Sequence, residues 1–263
     1  MDLKLTKKIA LVTGSTAGIG NAIAASLARE GATVIVNGRS AAAVEGAVAA
    51  MKAEAKGDVI GFAGDLSAAS VAEALVRQHP VVDILVNNLG IFEVKPFEEI
   101  SDADWQRFFD VNVLSGARLS RLYLPAMRKR NWGRIIFISS ESGYHIPTEM
   151  IHYGMTKAAQ IAVARGLAET TAGTGITVNS VLPGPTRSRG VGDFVAEMAA
   201  KSGKSAQTVE NEFFKTARPT SLLQRFATPE EVAAMVTYVA SPVSSATNGA
   251  ALRVDGGTIK SAF

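Results

Sequence analysis

The first apolar run of this chain ends in a glycine-rich turn that opens a helix, and no other feature narrows the fold as much. After "KKIALV" comes "TGSTAGIG", with Gly14, Gly18 and Gly20 spaced G-x-x-x-G-x-G. Glycine lets a backbone turn tightly and approach a ligand closely. The helix beyond it offers free N–H groups and a partial positive charge, which suit a pyrophosphate. An ordinary tight strand–helix turn has the same look, so the rest of the chain must decide.

Beyond this turn, strands and helices alternate. "ATVIVNG", "DVIGFAGD", "VDILVNNLG", "GRIIFISS", "GITVNSVLPG" and "GAALRVDGG" read as strands, separated by helical patterns. Gly31 fits the end of the first helix, and Thr228-Pro-Glu-Glu231 fits the start of a late one. Ser101-x-x-Asp104 starts a helix expected to run to Arg130. Nearly continuous apolar strands imply a parallel sheet covered on both faces. The expectation is α/β: a single-domain Rossmann-type doubly wound parallel sheet over residues 1–263, with helices on both faces. The polar stretch 187–225 between two core elements reads as a substrate loop. Ligands in such sheets bind beyond the carboxyl ends of the strands.

Composition removes several alternatives. There are no cysteines, which excludes disulfides, thiolate nucleophiles and cysteine-ligated zinc. His79, His145 and His152 form no metal-ligand spacing, so no metal is expected. A net charge of +3 is too small and dispersed for a nucleic-acid partner. No apolar run approaches the roughly 18 residues that span a bilayer, and the start carries no secretion-signal core. A cytoplasmic protein without a membrane partner is the expectation.

The strand ends carry the chemistry. Asp65 closes the third strand, where a carboxylate can accept from an adenine amino group. Asn87 and Asn88 close the fourth, and at least one is expected to serve the backbone rather than a ligand. The second strand ends in Gly38, Arg39 and Ser40. Gly38 offers no carboxylate to repel an anion, Arg39 suits a phosphate in charge and geometry, and Ser40 adds a hydroxyl. A turning glycine and a solvated arginine would leave the same trace.

Ser140 closes strand "IIFISS", thirteen residues before Tyr153, and Lys157 lies one helical turn beyond. A neighbouring ammonium is expected to lower the phenol's pKa, so that it exchanges a proton with a carbonyl or alcohol. Tyr-x-x-x-Lys alone is common on helices. Ser140 at that offset, after the glycine turn, makes coincidence a poor account.

With these motifs in order, the chain resembles the short-chain dehydrogenases/reductases, and its ketoacyl-reductase-like members in particular. The resemblance runs from Lys8 to Gly257 through "TGSTAGIG", Asp65, "NNLG", Asn112 in "DVNV", Ser140, "YGMTK", "PGPTRS" and "VDGG". It implies that Tyr153 is the general acid/base and that Lys157 lowers its pKa and holds the cofactor ribose. It also implies that Ser140 orients the substrate oxygen and that Asn112 supports a water chain to the lysine. The cofactor set it implies adds Ser15, Thr16, Ile19, Leu66, Asn88, Gly90, Pro183 and Gly184. Either Thr186 or Ser188 would hold the nicotinamide carboxamide. Two departures stand out: Leu89 where the family usually has alanine, and Ala17 where its NADP binders often carry a basic residue.

The expected activity is hydride transfer between NADP(H) and the carbonyl or alcohol of a small molecule, a medium-sized ketone or 3-oxoacyl group. NAD(H) is the alternative cofactor. The alternative functions are an NAD-dependent alcohol or sugar dehydrogenase and, in another class, a non-catalytic nucleotide-binding regulator or scaffold. Ser140, His145, Ile146, Met150, Tyr153 and Pro185 are expected to meet the substrate in a mainly apolar cleft, with Leu89 and the loop near Val191 and Phe194. His145 and His152 are expected at the cleft or the surface. The basic run Arg128, Lys129, Arg130 and Arg134 suits a helix end, or an acidic partner such as acyl carrier protein. A homotetramer is implied by the resemblance.

Overall fold

The description covers residues 1–262 of a computed structural model, apart from the side chains of Arg189, Asp193, Phe194 and Glu197. The described residues form seven strands: β1 (Ile9–Val12), β2 (Thr33–Gly38), β3 (Val59–Ala63), β4 (Ile84–Asn87), β5 (Gly133–Ile138), β6 (Ile176–Pro183) and β7 (Ala251–Val254). They form one sheet in the order β3-β2-β1-β4-β5-β6-β7, with every neighbouring pair parallel. This is the expected doubly wound α/β domain. The strand order reverses between β1 and β4, so a crevice opens beyond their carboxyl ends.

Alternate residues of the central strands enter two separate cores. Ala10, Val12, Val34, Val36, Ile84 and Val86 pack on one face under α1 (Gly18–Arg29), α2 (Ala41–Lys52) and α9 (Pro229–Ala240). Leu11, Ile35, Leu85, Ile135 and Phe137 pack on the other under α3 (Ala69–Gln78), α5 (Ser115–Arg130) and α6 (Ile151–Glu169). The central strands are buried on both faces, which is why they read as continuous apolar runs, while the edge strands β3 and β7 are partly exposed. Each fully buried Leu or Ile stabilises the fold by roughly 1.5–3 kcal/mol.

Local signals behave as read. Gly31 holds φ +90° beyond α1. Thr228 and Glu231 close a reciprocal capping box at α9, with Pro229 in its first turn. Ser101 and Asp104 close another at α4 (Asp102–Phe109). The helix expected from there to Arg130 is interrupted by a π-helical turn over Asp110–Leu114 before α5 begins. That turn carries Asn112.

The stretch 187–225 folds as α7 (Arg189–Ser202) and α8 (Ala206–Thr216) followed by a loop. Its base is fastened twice. Thr186 bridges Ala227, and buried Glu210 ties Arg187 to the backbone N–H of Phe226. The terminal "VDGG" is the third anchor, because Gly256 accepts from the N–H groups of Leu222 and Leu223. Among the described residues, no helix is long and apolar enough to cross a membrane and no cluster of metal-ligating side chains occurs.

The basic run is spent on the fold. Arg128 donates to the Thr170 carbonyl at 3.0 Å and Arg130 to that of Val82 at 2.9 Å. Arg134 is buried and donates to the carbonyls of Gly133, Gly175 and Ser241. Only Lys129 of the four lacks such a contact among those described, which leaves little of a patch for an acidic partner.

Candidate active site

Beyond β1 and β4 the backbone makes a cradle. Gly14 and Gly18 hold φ of +60° and +57°, conformations that other residues rarely adopt. A Cβ on Gly20 would lie 2.4 Å from Asn88 Nδ2 and 2.5 Å from the Gly14 carbonyl oxygen. The turn is held from behind. Asn88 donates to the carbonyls of Thr13 and Gly14, and buried Asn37 accepts from the Gly14 N–H at 3.1 Å. These glycines therefore leave space where a pyrophosphate fits, in front of the α1 N-terminus.

Three residues expected in the cofactor set turn away from the crevice. Ser15 is fully buried; its hydroxyl donates to the Val12 carbonyl and accepts from the Asn37 N–H. Its own N–H goes to the Asn37 carbonyl. Leu66 is 1% exposed and belongs to the core. The Asn88 amide nitrogen is occupied by the turn, and the Asn87 amide donates to Ser120 Oγ, so both asparagines serve the structure. The common cause is that buried polar groups close to tight turns satisfy the backbone first.

The remaining set lies around the crevice. Thr16 and Ile19 are half-buried in the turn. Arg39 and Ser40 are exposed at the end of β2, where Ser40 caps α2 by accepting from the Ala43 N–H at 3.4 Å. Gly38 faces Thr16 so closely that a Cβ would lie 2.5 Å from the threonine methyl. Asp65 accepts from Ser67 through one oxygen; that hydrogen bond holds its carboxyl below the usual range. Pro183 ends β6, and Gly184 comes next in a slot where any Cβ would strike the Asp255 backbone. Thr186 spends its hydroxyl on the Gly184 carbonyl at 2.9 Å. Ser188 instead faces the glycine turn, 3.4 Å from where a Gly18 Cβ would be.

Ser140, Tyr153 and Lys157 come together where β5 ends and α6 begins. Lys157 is buried and donates to the Ile138 carbonyl at 2.9 Å and to Gln160 Oε1 at 3.1 Å. Its ammonium lies 5.6 Å from the centre of the Tyr153 ring. Burial lowers the ammonium's pKa to about 8. Tyr153 departs from expectation. Burial and the neighbouring Glu141 push its phenol above its usual value, while Ser140 and Arg218 pull it back. The expected depression gives way because burial is the largest influence on the phenol and favours its neutral form. The upward shift favours the neutral phenol, the form that donates to a carbonyl.

Asn112 fixes the crevice wall. Its Oδ1 accepts from the Ile91 N–H at 2.8 Å, and its amide donates to the Ile91 carbonyl and Thr156 Oγ1. Gly90 sits beside it, where a Cβ would be 3.5 Å from both Asn112 Oδ1 and Lys157 Nζ.

Glu141, Arg218, Gln160 and Asn37 join the site without standing out in the sequence. Ser140 Oγ donates to buried Glu141 at 2.5 Å, and Arg218 of the loop reaches Glu141 at 3.2 Å and Glu149 at 3.4 Å. Charged side chains therefore stand beside Tyr153, which the apolar expectation did not include. Ile146 packs against Gly154 beside Tyr153, Phe92 sets its ring edge 6.4 Å from Tyr153, and Leu222 is exposed on the loop. His145 is exposed nearby and Met150 and Pro185 are half-buried. Leu89 leans on the core beside Gly14. The Phe194 side chain lies outside the described residues. His152 is neither at the cleft nor at the surface: it is fully buried between Trp105 and Phe108. Glu141 carries one sequence signal, its position after a strand-end serine, and Gln160 another, its spacing from Lys157. Arg218 has none, being 77 residues from its partner.

A glycine cradle at the switch point of a doubly wound sheet, with a serine, a tyrosine and a lysine converging beyond it, defines a nicotinamide-dependent oxidoreductase. Residues 8–199 match the family model for short chain dehydrogenase. The chain is 48% identical to the Bacillus subtilis protein named uncharacterized oxidoreductase YvrD, over 99% of this chain and 100% of that one. It is 34% identical to the 3-oxoacyl-[acyl-carrier-protein] reductase FabG of Aquifex aeolicus, over 98% and 99%. Among solved structures, the L-sorbose reductase of Gluconobacter frateurii, complexed with NADPH and L-sorbose, is similar with a TM-score of 0.93 and 29% identity, covering 99% of this chain and 100% of that one. The chain belongs to the short-chain dehydrogenase/reductase family and is an NAD(P)-dependent oxidoreductase.

Proposed function

We propose that the protein reduces the carbonyl of a medium-sized ketone or 3-oxoacyl group with NADPH, and oxidises the alcohol in reverse. The observation that carries this reading is the half-buried Tyr153 grouped with Ser140 and Lys157, with Phe92 and Ile146 beside it. The nicotinamide, when bound, supplies or accepts hydride. Tyr153 gives its proton to the substrate oxygen as the carbonyl becomes an alcohol. Ser140 fixes that oxygen, and Lys157 places positive charge beside the phenolate that forms. Gly14, Gly18 and Gly20 receive the pyrophosphate, Asp65 the adenine, and Arg39 with Ser40 a ribose phosphate. The stretch 187–225 covers the substrate.

Glu141 and Arg218 give a polyhydroxylated substrate some purchase, so oxidation of an alcohol or sugar with NAD is the second reading. A nucleotide-binding regulator has no need of Tyr153. Replacing Tyr153 with Phe removes one hydroxyl and is expected to keep the fold and NADPH affinity while lowering kcat by about 10²-fold or more. Near-normal turnover in that variant, with chemistry rate-limiting, sinks the assignment. NADPH fluorescence on binding, with no turnover across a broad carbonyl panel, favours the regulator. A cytoplasmic homotetramer completes the proposal; a monomer in sedimentation at micromolar concentration removes that part.

A further inference from the structure

We propose that Gln160 is a positioning residue for Lys157: its amide links the ammonium to the main chain of the π-helical turn and keeps that ammonium protonated and aimed at the cleft. The inference rests on the proposed acid–base reading of Tyr153 and Lys157.

Gln160 lies three residues beyond Lys157 on α6, so the two side chains share a face. It is 1% exposed and Lys157 is 5% exposed, so neither reaches bulk water. The ammonium has three protons. One goes to the Ile138 carbonyl at 2.9 Å and one to Gln160 Oε1 at 3.1 Å. The third is left for the side where Gly90 contributes no side chain. The other end of the amide is equally fixed: Gln160 Nε2 donates to the Asn112 carbonyl at 2.5 Å.

Asn112 cannot take this role with its own side chain. Both ends of its amide are used by Ile91 and Thr156. Its carbonyl is left to face the lysine, and Gln160 Nε2 donates to it. The resemblance implies a water between Asn112 and Lys157; in this protein a side-chain amide spans that interval directly. An amide held at both ends can present only its oxygen to the ammonium. A buried ammonium loses its proton readily, and each fixed acceptor opposes that loss.

Among the described residues, no other charged group does the same work. Tyr153 faces Lys157 from the same helix, while Glu141 after β5 and Arg218 from the loop act on Tyr153. The turn over Asp110–Leu114 contributes to this contact through Asn112, and the end of β4 through Gly90, neither of which is charged.

The test uses the full-length protein with Gln160→Leu, Gln160→Glu and Tyr153→Phe. Three quantities are measured: Tm, NADPH affinity against pH by fluorescence, and kcat/KM against pH. Gln160→Leu fills the space but offers no acceptor. It is expected to shift the alkaline limb of both affinity and kcat/KM about one pH unit lower, the size of one hydrogen bond to a charged group. Gln160→Glu keeps an acceptor, adds opposite charge, and is expected to move the limb upward. If Gln160→Leu binds NADPH and lowers Tm but leaves both limbs in place, Gln160 only packs and the proposal fails. If instead Tyr153→Phe retains full turnover, the acid–base reading fails, and the proposal with it.

Discussion

Glu141 and Arg218 form an ion pair across the cleft, Nε to Oε1 at 3.2 Å, with side-chain exposures of 6% and 11%. The same carboxylate accepts the hydroxyl proton of Ser140. One residue therefore connects Ser140 to Arg218 of the 187–225 stretch. Removing Arg218 strands a buried carboxylate, which costs up to about 3–5 kcal/mol. Arg218→Leu is expected to lower Tm and to raise KM by roughly tenfold as the loop loses its tether. The double variant with Glu141→Gln should recover much of the Tm, because no buried charge remains. Additive losses in the two single variants and the double would show that the residues do not interact.

The glycine cradle is a steric requirement at Gly20. A Cβ there would lie 2.4 Å from Asn88 Nδ2 and 2.5 Å from the Gly14 carbonyl. Gly20→Ala must push Asn88 off the turn it supports, a change on the scale of about 1–3 kcal/mol. NADPH affinity should fall about tenfold or more, and Tm with it. Gly46 lies inside α2 with nothing within 4 Å, so Gly46→Ala serves as the control: it should leave NADPH affinity unchanged and raise Tm slightly, as alanine is the better helix former.

The sheet, the glycine turn and the Ser140–Tyr153–Lys157 group are legible in the sequence because each is written locally. Strands show as apolar runs, the turn as glycine spacing, and the acid–base pair as a helical interval. Ser15 is not, because a serine beside a phosphate turn looks the same whether its hydroxyl faces ligand or, as here, the Val12 carbonyl. His152 lies away from its expected place since its neighbours Trp105 and Phe108 come from another helix. The phenol of Tyr153 is raised rather than lowered for a related reason. Spacing shows that Lys157 is near Tyr153, but not that both are desolvated or that Glu141 stands opposite.

The proposed preference for NADPH rests on Arg39. A guanidinium contact to a 2′-phosphate is worth about 1.5–3 kcal/mol, so NADPH should exceed NADH by roughly ten- to a hundred-fold in kcat/KM. Arg39→Leu should remove most of that ratio by raising the KM for NADPH alone. Introducing an aspartate at Gly38 is a poorer test than the sequence suggests, because its Cβ would meet Thr16 at 2.5 Å. Equal kcat/KM for the two cofactors in the unmodified protein would show that Arg39 does not read the phosphate.

Acid stability turns on His152. Both ring nitrogens are buried without a hydrogen-bond partner, and burial holds the imidazole below its ordinary pKa of 6.5. Glu93 and Asp104 favour its charging, and Lys95 and Arg107 oppose it. Proton uptake sets the sign. Above 6.5 the ring is neutral whether folded or unfolded. Below it the unfolded chain binds a proton that the folded state resists, so stability is lost as the pH falls toward the folded value. His152→Leu removes that proton and the two unpaired nitrogens. The variant should therefore lose less Tm than the parent between about pH 7.5 and about pH 5.5. Parallel Tm curves for the two proteins over that range would mean that His152 already finds a partner for its proton.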